Sequence, residues 1–465
     1  MHRICLLLAL CGGAHLAHAQ TLISQDDLDI AAQLRDRALN SDMAYQLLES
    51  LTVEVGPRMA GTPGDAAGVA WAKKTFEALD YDQVALEPVT FPLWRRGAES
   101  AEVTAPYPQP LAVTALGFSP GTGPQGVEAK VVHFGTLHEL AQIEDGSLNG
   151  EIVFISNQME RTKTGEGYGP AVVARRDGST VTAAKGGSAV MIRSVGTDNN
   201  RTPHTGTMRV EPGQAAVPAA ALSNPDADLL VAMLERGDVT VKLSLDVGID
   251  GEGLSHNVIG DIKGSDKADE FVIIGGHLDS WDLGTGAVDD GFGVAITMAA
   301  GRFIAEHAPR PPSRTIRVVA WANEEQGLWG AKAYYEAHKD QLEKHLVGAE
   351  SDFGAGRVWA FASRVNKAAL PVIGQIHSVL EPLGIELGNN AAFGGADVLP
   401  LRAAGMPVVS LYQDGSDYFD YHHTANDTLD KVDPEVMRQN FAAWVAFTWL
   451  AANYPGTFSP APVIE

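Results

Sequence analysis

The sequence predicts an α/β fold in which a mostly parallel, mixed sheet is flanked by helices and carries an inserted β-rich segment. From Asn257 onward, strand-like runs alternate with helical patterns, which is typical of a parallel sheet covered by helices. From about Pro106, glycine and proline become dense, and short β-rich runs follow. The length of 465 residues, with 45% hydrophobic and 20% charged residues, fits a globular chain of two or three domains.

These patterns divide the chain into four predicted parts. Residues 1–19 form a signal peptide, 20–105 the first part of the main domain, 106–250 the inserted segment, and 251–465 the second part of the main domain. We call residues 106–250 the inserted segment throughout. Its short strand-like runs carry no recognisable chemistry, so we expect the reaction to belong to the main domain.

The first residues have the pattern of a secretory signal peptide. Arg3 precedes an apolar run from Ile4 to Leu10, and the small-x-small end Ala17-His18-Ala19 predicts cleavage after Ala19. The apolar run is too short to span a bilayer, which needs about 20 residues. Cys5 and Cys11 both lie in this part, so the mature protein would have no disulfides. We therefore expect a secreted or periplasmic protein.

The charge balance excludes some partners. Lysine and arginine number 34 and aspartate and glutamate 58, which gives a net charge of −24. A surface this acidic repels phosphate backbones and anionic lipids. Nucleic-acid binding and electrostatic membrane docking are therefore not expected.

The main domain starts with predicted helices and continues with alternating elements. A start signal at Ser24 and a break at Asn40-Ser41 predict two helices up to about Leu51. Pro63 in the first helical position predicts a third, to about Leu79. In the second part, the runs NVIGDI, FVIIGG, TIRVVAWA, LVGAES and PVVSLY predict strands. Helices are predicted between them and after Asp433-Pro434.

Acidic and histidine residues follow several of the predicted strands directly. In open α/β sheets, ligands bind beyond the carboxyl ends of the strands, so these side chains are expected to share one site. Such a cluster of carboxylates would repel itself unless a cation neutralised it. The residues concerned are His277, Asp279, Asp289, Asp290, Glu324, Glu325, Asp352, His422, His423 and Asp427.

Oxygen and imidazole donors without thiolate suit zinc, with manganese or cobalt as substitutes. Two metals about 3.5–4 Å apart need a bridging group and further ligands on each side. We expect Asp289 to bridge, His277 and Asp352 to hold one metal, and Glu325 and His423 to hold the other. The sequence thus predicts two Zn²⁺ ions per chain.

Two further carboxylates have expected roles in this site. Glu324 is left over as the general base that takes a proton from the attacking water and passes it to the departing amine. Asp279 is expected to accept the free ring N–H of His277 and so fix the tautomer of that ring. The predicted reaction is hydrolysis of an amide bond by a water molecule that the metals activate.

Four stretches, HLDSWDLGTGAVDDG, ANEEQGLWGAKAYY, ESDFGAG and YHHTANDT, resemble the dizinc exopeptidase family of secreted aminopeptidases and glutamate carboxypeptidase II. The start HLDSWD and the end YHH are most similar to its carboxypeptidase Q branch. The resemblance implies a zinc-exopeptidase-like fold, with an inserted protease-associated-like domain at 106–250. By motif, His277, Asp289, Glu325, Asp352 and His423 match the family's metal ligands, and Glu324 its catalytic glutamate.

The resemblance also implies properties that the residues alone do not give. The aspartate at the position of Asp289 is often joined to the next residue, here Asp290, by a cis bond. Carboxypeptidase Q relatives are dipeptidases that act on unblocked dipeptides, and they tend to form dimers. A peptide substrate and a homodimer are therefore expected.

Single members of the set also have ordinary explanations, and some choices stay open. His423 fits the family spacing His-Thr-x-x-Asp-Thr, while His422 either orients a neighbour or packs. Asp397 is a candidate for binding a substrate α-amine or, equally, a helix N-cap. Tyr418 is a candidate for the pocket wall, although aromatic packing explains it as well.

Three other functions compete with a dipeptidase. A broader aminopeptidase would use the same site. A receptor-like binding protein of this fold would have lost its metal ligands, which are all present here. An acyl transferase related to glutaminyl cyclase would bind one metal.

Overall fold

The computed structural model of the chain describes residues 22–462. The predicted signal peptide, residues 1–19, lies outside the described residues. The helices are α1 (Gln25–Ala38), α2 (Met43–Glu54), α3 (Pro63–Ala78), α4 (Leu137–Gln142), α5 (Tyr168–Lys185), α6 (Asn224–Leu234), α7 (Phe292–His307), α8 (Trp329–His338), α9 (Leu370–Leu380), α10 (Leu399–Ala403), α11 (Tyr418–Tyr421) and α12 (Pro434–Asn453). The strands are β1 (Gln83–Ala105), β2 (Gln109–Leu111), β3 (Val113–Ala115), β4 (Val127–Phe134), β5 (Ile152–Ile155), β6 (Ala189–Arg193), β7 (Ala219–Leu222), β8 (Thr240–Ile262), β9 (Lys267–His277), β10 (Arg314–Trp321), β11 (His345–Glu350), β12 (Val358–Arg364), β13 (Glu386–Leu387) and β14 (Val408–Gln413).

The predicted helix starts in the main domain are confirmed by their caps. The side chain of Ser24 accepts the N–H of Asp27 at the start of α1. Thr62 caps α3, with Pro63 in its first turn. Asp433 caps α12 in the same way. Each cap satisfies a backbone N–H that has no partner within the helix.

The main sheet is mixed and mostly parallel, as predicted. Its strands run in the order β13-β12-β14-β11-β9-β10-β8. Strands β14, β11, β9 and β10 are mutually parallel, whereas β8 and β12 run antiparallel to their neighbours in this sheet. Because the carboxyl ends of the parallel strands meet at one edge, this order gathers the residues that follow β9, β10 and β11.

Helices cover both faces of the main sheet. Val272 and Ile274 of β9 belong to a core shared with α1, α2, α7 and α12. Ile273, between them, belongs to a core on the opposite face with residues of α8 and α10. This alternation follows from the two-residue period of a strand, since successive side chains point to opposite faces.

Strands β1 and β8 form a long antiparallel ribbon that joins the main sheet to the inserted segment. They pair from Gln83 opposite Asp261 to Ala105 opposite Thr240. The last part of β8 pairs with β10, and its first part with β4. The strand order then continues through β5, β6 and β7 to β3.

The inserted segment contains more helix than its predicted β-rich character suggested. The runs that predicted strands form β4, β5, β6 and β7, which are parallel to one another. Helices α4 and α5 lie between these strands and α6 follows β7, and the sequence patterns predicted none of the three. Helix α5 contains β-branched Val172, Thr180 and Val181, which locally favour strands. Its packing against β5 and β6 outweighs that local preference.

Within residues 22–462, no helix combines the length and the apolar composition that crossing a membrane requires.

Candidate metal centre

The predicted site residues meet at the carboxyl edge of the parallel strands. His277 is the last residue of β9, and Glu324 and Glu325 follow β10. Asp352 follows β11, and Asp289 lies just before α7. His423 follows α11, in the loop region after β14. Loops from four parallel strands therefore converge on a single point, where all five predicted metal ligands lie.

The two carboxylate oxygens of Asp289 face two different sets of ligands. Its Oδ1 lies 3.0 Å from Nε2 of His277, and that nitrogen lies 3.7 Å from Oδ1 of Asp352. Its Oδ2 lies 3.4 Å from Nε2 of His423, which lies 2.9 Å from Oε2 of Glu325. Asp289 thus stands between one set of His277 with Asp352 and another of His423 with Glu325.

The chemistry of these donors fits divalent cations. His277, Asp289 and Glu325 offer ligand atoms that all lie within 4.8 Å of one another, and the three residues are buried. Within residues 22–462, Oδ2 of Asp289 and Oε1 of Glu325 have no hydrogen-bond partner. Buried carboxylate oxygens without partners are costly, and a metal ion would satisfy them. Carboxylate and imidazole without thiolate suit zinc.

The raised pKa values of the site carboxylates also indicate that a positive charge is needed beside them. Burial raises the pKa of Asp289, and it raises the pKa values of Glu324 and Glu325 well above their usual range. Burial lowers the pKa of His277, but hydrogen bonds with nearby aspartates outweigh it, so the net pKa lies well above normal. Burial and the neighbouring ring of His422 lower the pKa of His423 well below normal. The site is therefore built to hold anions that need a cation partner.

Asp279 positions residues of the metal centre, but its carboxylate does not accept the ring N–H of His277 as predicted. Nδ1 of His277 lies 3.0 Å from the backbone carbonyl of Asp279, to which it donates, but 3.7 Å from the carboxylate. The carboxylate instead accepts the N–H of Glu324 at 3.0 Å and that of Glu325 at 3.3 Å. Asp279 therefore fixes the His277 ring through its main chain and the glutamate pair through its side chain.

The turn that carries Asp289 is held by two neighbouring carboxylates. Asp427 accepts the N–H of Val288 at 2.6 Å and that of Asp289 at 3.2 Å. Asp290 accepts the N–H of His277 at 3.1 Å. The peptide bond between Asp289 and Asp290 is cis, as the family resemblance implied.

Arg58 supports the same turn and was missed by the sequence analysis. Its guanidinium is fully buried and donates to the carbonyls of Gly56, Leu278, Thr285 and Gly286. Burial lowers its pKa to about 10, against the attraction of Asp427 and other acids nearby. Pro57 before it and Met59 after it give no sign of this role, because three of its four carbonyl partners, those of Leu278, Thr285 and Gly286, lie more than 200 positions away.

Trp281 was also missed, although it lies inside the HLDSWD motif. Its ring N–H donates to Oε2 of Glu325 at 2.6 Å. Its ring packs into the core of the inserted segment and lies 5.7 Å from the ring of His423. Trp281 therefore orients one candidate ligand and borders another.

The remaining sequence candidates lie around the site. His422 stacks on His423 at 3.5 Å, and its Nε2 is 3.7 Å from Asp289. Tyr418 is buried against the ring of His422. Asp397 is fully buried and its N–H donates to Glu350, but its carboxylate caps no helix, because α10 begins after Val398. Burial raises the pKa of Glu350 to about 8.

A cleft of 1110 Å³ opens beside the metal centre, between the inserted segment and the main domain. Arg175, Arg176 and Thr207 line it from the inserted segment, and Gln326 and Trp329 from the main domain. Arg175 contacts His423 and Thr207 contacts the Glu325 carbonyl, so the cleft lies next to two of the candidate ligands.

Arg175 stands out among the residues that line this cleft. Its Nη2 donates to the hydroxyl of Tyr168 at 2.5 Å, and its Nη1 lies 3.4 Å from Nδ1 of His423. Its Nε is buried and has no hydrogen-bond partner within residues 22–462. A buried guanidinium ordinarily has an anionic partner or several carbonyl acceptors, and Arg175 has neither in the described part of the chain.

The chain is similar to known peptidases in sequence and in structure. The profile of peptidase family M28 matches residues 257–448. Carboxypeptidase Q from Xenopus laevis is 33% identical over 429 residues, which are 91% of this chain and 90% of that protein. The crystal structure of a peptidase M28 precursor from Shewanella amazonensis has 51% sequence identity and a TM-score of 0.92, covering 94% of this chain and 99% of that one. A zinc aminopeptidase from Bacillus subtilis shares the fold, with 19% identity and a TM-score of 0.66. The match covers 90% of this chain and 97% of that one.

These likenesses extend over almost the full length of both proteins in each pair. They confirm the resemblance that four short motifs indicated, and they confirm the mixed α/β fold. The chain belongs to peptidase family M28 and is a metallo-exopeptidase.

Proposed function

We propose that this protein is a dizinc exopeptidase that hydrolyses unblocked dipeptides or short peptides; its relatives named carboxypeptidase Q support an exopeptidase. The observation that carries the proposal is the position of Asp289, whose two carboxylate oxygens face separate ligand sets. His277 and Asp352 would hold one zinc, and Glu325 and His423 the other. A bridging carboxylate between two such sets is what a site for two metals requires.

The residues around the metals would have separate roles in hydrolysis. When bound, zinc supplies a Lewis acid that activates water and polarises the scissile carbonyl. Glu324 would take the proton of the attacking water and return it to the leaving amine. Asp279 would hold Glu324 in place, since its carboxylate accepts the Glu324 N–H at 3.0 Å.

The charges that flank the metals support a substrate with free termini. Arg175 is a buried cation with an unpartnered Nε beside His423, which suits the terminal carboxylate of a peptide in the cleft. Asp397 and Glu350 are buried acids within electrostatic reach of Glu324 and Asp352, and Tyr418 is buried against His422. Burial raises the pKa values of both acids, and the positive charge of a substrate α-amine would favour their ionised forms and pair with them. We therefore propose Arg175 for the carboxylate, Asp397 for the amine, and Tyr418 for the pocket wall.

The experiment that tests the function combines metal analysis with a substrate panel. Zinc per chain is measured together with hydrolysis of an unblocked dipeptide, its C-terminal amide and its N-acetyl form, before and after chelation. We expect two zinc ions, loss of activity on chelation, and cleavage of the unblocked dipeptide alone. Equal cleavage of the amide would identify an aminopeptidase instead. One zinc with turnover of an N-terminal glutamine peptide would identify an acyl transferase, and zinc-independent cleavage would reject the proposal.

Export and assembly complete the proposal. A signal peptide cleaved after Ala19 would deliver the enzyme to the periplasm or the medium, and the mature enzyme would form a homodimer. N-terminal sequencing of the secreted protein, expected to start at Gln20, tests the first statement. Light scattering of the purified protein tests the second.

A further inference from the structure

Residues 204–207 of the inserted segment touch the loops that carry two of the candidate metal ligands. The N–H of Thr205 donates to the carbonyl of His423 at 3.0 Å. The hydroxyl of Thr207 donates to the carbonyl of Glu325 at 2.7 Å. His204 Nδ1 donates to the carbonyl of His422 at 2.7 Å. We call residues 204–207 the HTGT segment, after its sequence.

The HTGT segment also contacts the ring of His423 directly. Nδ1 of the His423 ring lies 3.3 Å from the carbonyl of Thr205. A carbonyl can only accept, so this contact favours a proton on Nδ1 and a free lone pair on Nε2, whereas the guanidinium of Arg175, 3.4 Å from the same nitrogen, favours the opposite tautomer. Nε2 is the nitrogen that faces Glu325 and Asp289. His423 has a positive φ of 62°, a conformation that few residues other than glycine adopt. The Thr205 contacts hold the residue in that conformation.

The HTGT segment is itself held firmly within the inserted segment. His204 Nε2 lies 2.7 Å from Oδ1 of Asp198, and the His204 N–H donates to Oγ of Ser194 at 2.8 Å. Gly206 accepts the N–H of Gly117 through its carbonyl at 3.0 Å. His204 and Thr205 are fully buried. These contacts make the segment a rigid support.

Arg96 connects the HTGT segment to a further loop of the metal centre. Its Nη2 donates to Oγ1 of Thr205 at 2.9 Å, and its Nε donates to both carboxylate oxygens of Asp282. Asp282 directly follows Trp281, whose ring N–H donates to Glu325. The HTGT segment is therefore connected to Glu325 in two ways. Thr207 bonds directly to the Glu325 carbonyl, and Thr205 is linked through Arg96 and Asp282 to Trp281, which bonds to the Glu325 carboxylate.

We infer that the HTGT segment is a positioning element for one of the two metals, the one held by Glu325 and His423. His277 and Asp352, the ligands of the other metal, take no hydrogen bond from residues 204–207. Occupancy of the two metal positions should therefore respond differently to changes in the inserted segment. This inference rests on the proposed dizinc function, and it gives the inserted segment a role beyond lining the cleft.

Two substitutions test the inference, each with a matched control. Thr207→Val removes the hydroxyl that supports Glu325, and Ser179→Ala removes a buried hydroxyl that donates to the Val217 carbonyl elsewhere in the inserted segment. His204→Ala removes the support of the His422 carbonyl, and His345→Ala removes a buried histidine whose ring bonds to Tyr334 and Gln341 instead of to the metal centre. Zinc affinity at each position is measured by competition with a chelator, with zinc per chain determined by mass spectrometry. The activity at saturating zinc is recorded as well.

We expect one zinc affinity to fall about 10–100-fold in Thr207→Val and His204→Ala, which is typical when a group that orients a ligand is lost. The other zinc affinity and both controls should stay at wild-type values, and saturating zinc should restore most of the kcat. Equal affinities in wild type and Thr207→Val would overturn the inference, and so would the same loss in Ser179→Ala. If His204→Ala does not fold, Thr207→Val decides alone. A wild-type chain that binds no second zinc would instead reject the proposed function.

Discussion

At the residue scale, the neighbours Glu324 and Glu325 have different surroundings although the sequence gives them the same chemistry. Glu325 contacts His423 and accepts the ring N–H of Trp281, so it has the contacts of a ligand. Glu324 has neither contact, and its N–H is held by Asp279. The geometry thus separates a ligand from a base that must stay free to exchange a proton.

Replacing the base should therefore stop the reaction without emptying the site. In Glu324→Gln, we expect kcat to fall about 10²–10⁴-fold, the usual contribution of a positioned acid–base group. Zinc per chain should stay at the wild-type value, as measured by mass spectrometry. Glu325→Gln is the matched control, since it should lose zinc as well as activity. Full activity of Glu324→Gln would contradict the assigned role.

Arg175 should be tested through the terminus that it is proposed to bind. In Arg175→Met, we expect kcat/KM for an unblocked dipeptide to fall about 10–100-fold, because a charged hydrogen bond contributes about 1.5–3 kcal/mol. The fall should appear mainly in KM. Arg176→Met is a close control, since Arg176 lines the same cleft but pairs with Asp177. Equal losses in the two variants would show that Arg175 does not recognise the carboxylate.

Residues with a strand-end position and a ligand side chain could be predicted, whereas their supports could not. His277, Asp289 and Asp352 stand beside glycine-rich or strand-end motifs that signal a site. Arg58 and Thr207 act through contacts over more than 100 positions along the chain, and neither belongs to a motif. Such residues are recognised only when the fold shows which carbonyl or ring they reach.

At the element scale, helices with strong caps were predicted closely, and elements set by long-range pairing were not. Thr62 with Pro63 predicted the start of α3, and Asp433 with Pro434 predicted the start of α12. The ribbon of β1 and β8 is stabilised by pairs between residues far apart in the sequence, so local patterns showed only its last part, NVIGDI. Helix α5 was missed because its valines and threonines fit a strand locally as well.

The junction of α8 and β11 contains a histidine that should make folding depend on pH. Nε2 of His345 accepts the hydroxyl of Tyr334 at 3.0 Å, and Nδ1 donates to the Gln341 carbonyl at 3.2 Å, so the ring is neutral. Burial lowers the pKa of His345 to about 4, from its ordinary value of 6.5. In the unfolded chain, the ring of His345 is therefore protonated below pH 6.5, whereas in the folded chain it stays neutral until the pH falls to about 4.

This difference predicts the sign of the pH effect. The contribution of His345 is fully present above pH 6.5 and is lost as the pH falls toward 4, by up to about 3 kcal/mol at 1.36 kcal/mol per pKa unit. His345→Gln keeps the polar contacts but cannot titrate, so its free energy of unfolding should fall less between these pH values. Denaturant unfolding at several pH values measures this. Parallel pH curves for the two proteins would contradict the role given to His345.

At the scale of the whole molecule, two sheets and the loops between them enclose one site. The main domain supplies the candidate ligands, and the inserted segment contacts them through Thr205 and Thr207. The sequence predicted an insertion at 106–250, but not that its residues would reach the metal centre. That contact depends on how β8 runs from one sheet into the other, which composition and periodicity do not show.

Because the metals join loops from distant parts of the chain, their removal should weaken the entire fold. A ligand that binds only the folded chain stabilises it by RT ln(1 + [L]/Kd), about 4 kcal/mol when zinc exceeds its Kd 1,000-fold. Without zinc, the buried carboxylates of Asp289, Glu324 and Glu325 also repel one another. We therefore expect chelation to lower Tm and added zinc to restore it, as followed by calorimetry. Magnesium at the same concentration should not restore it, because the imidazole ligands suit zinc better. In His277→Ala, which lacks one proposed ligand, zinc should raise Tm by less than in the wild type. A wild-type Tm that chelation leaves unchanged would show that zinc does not join these loops.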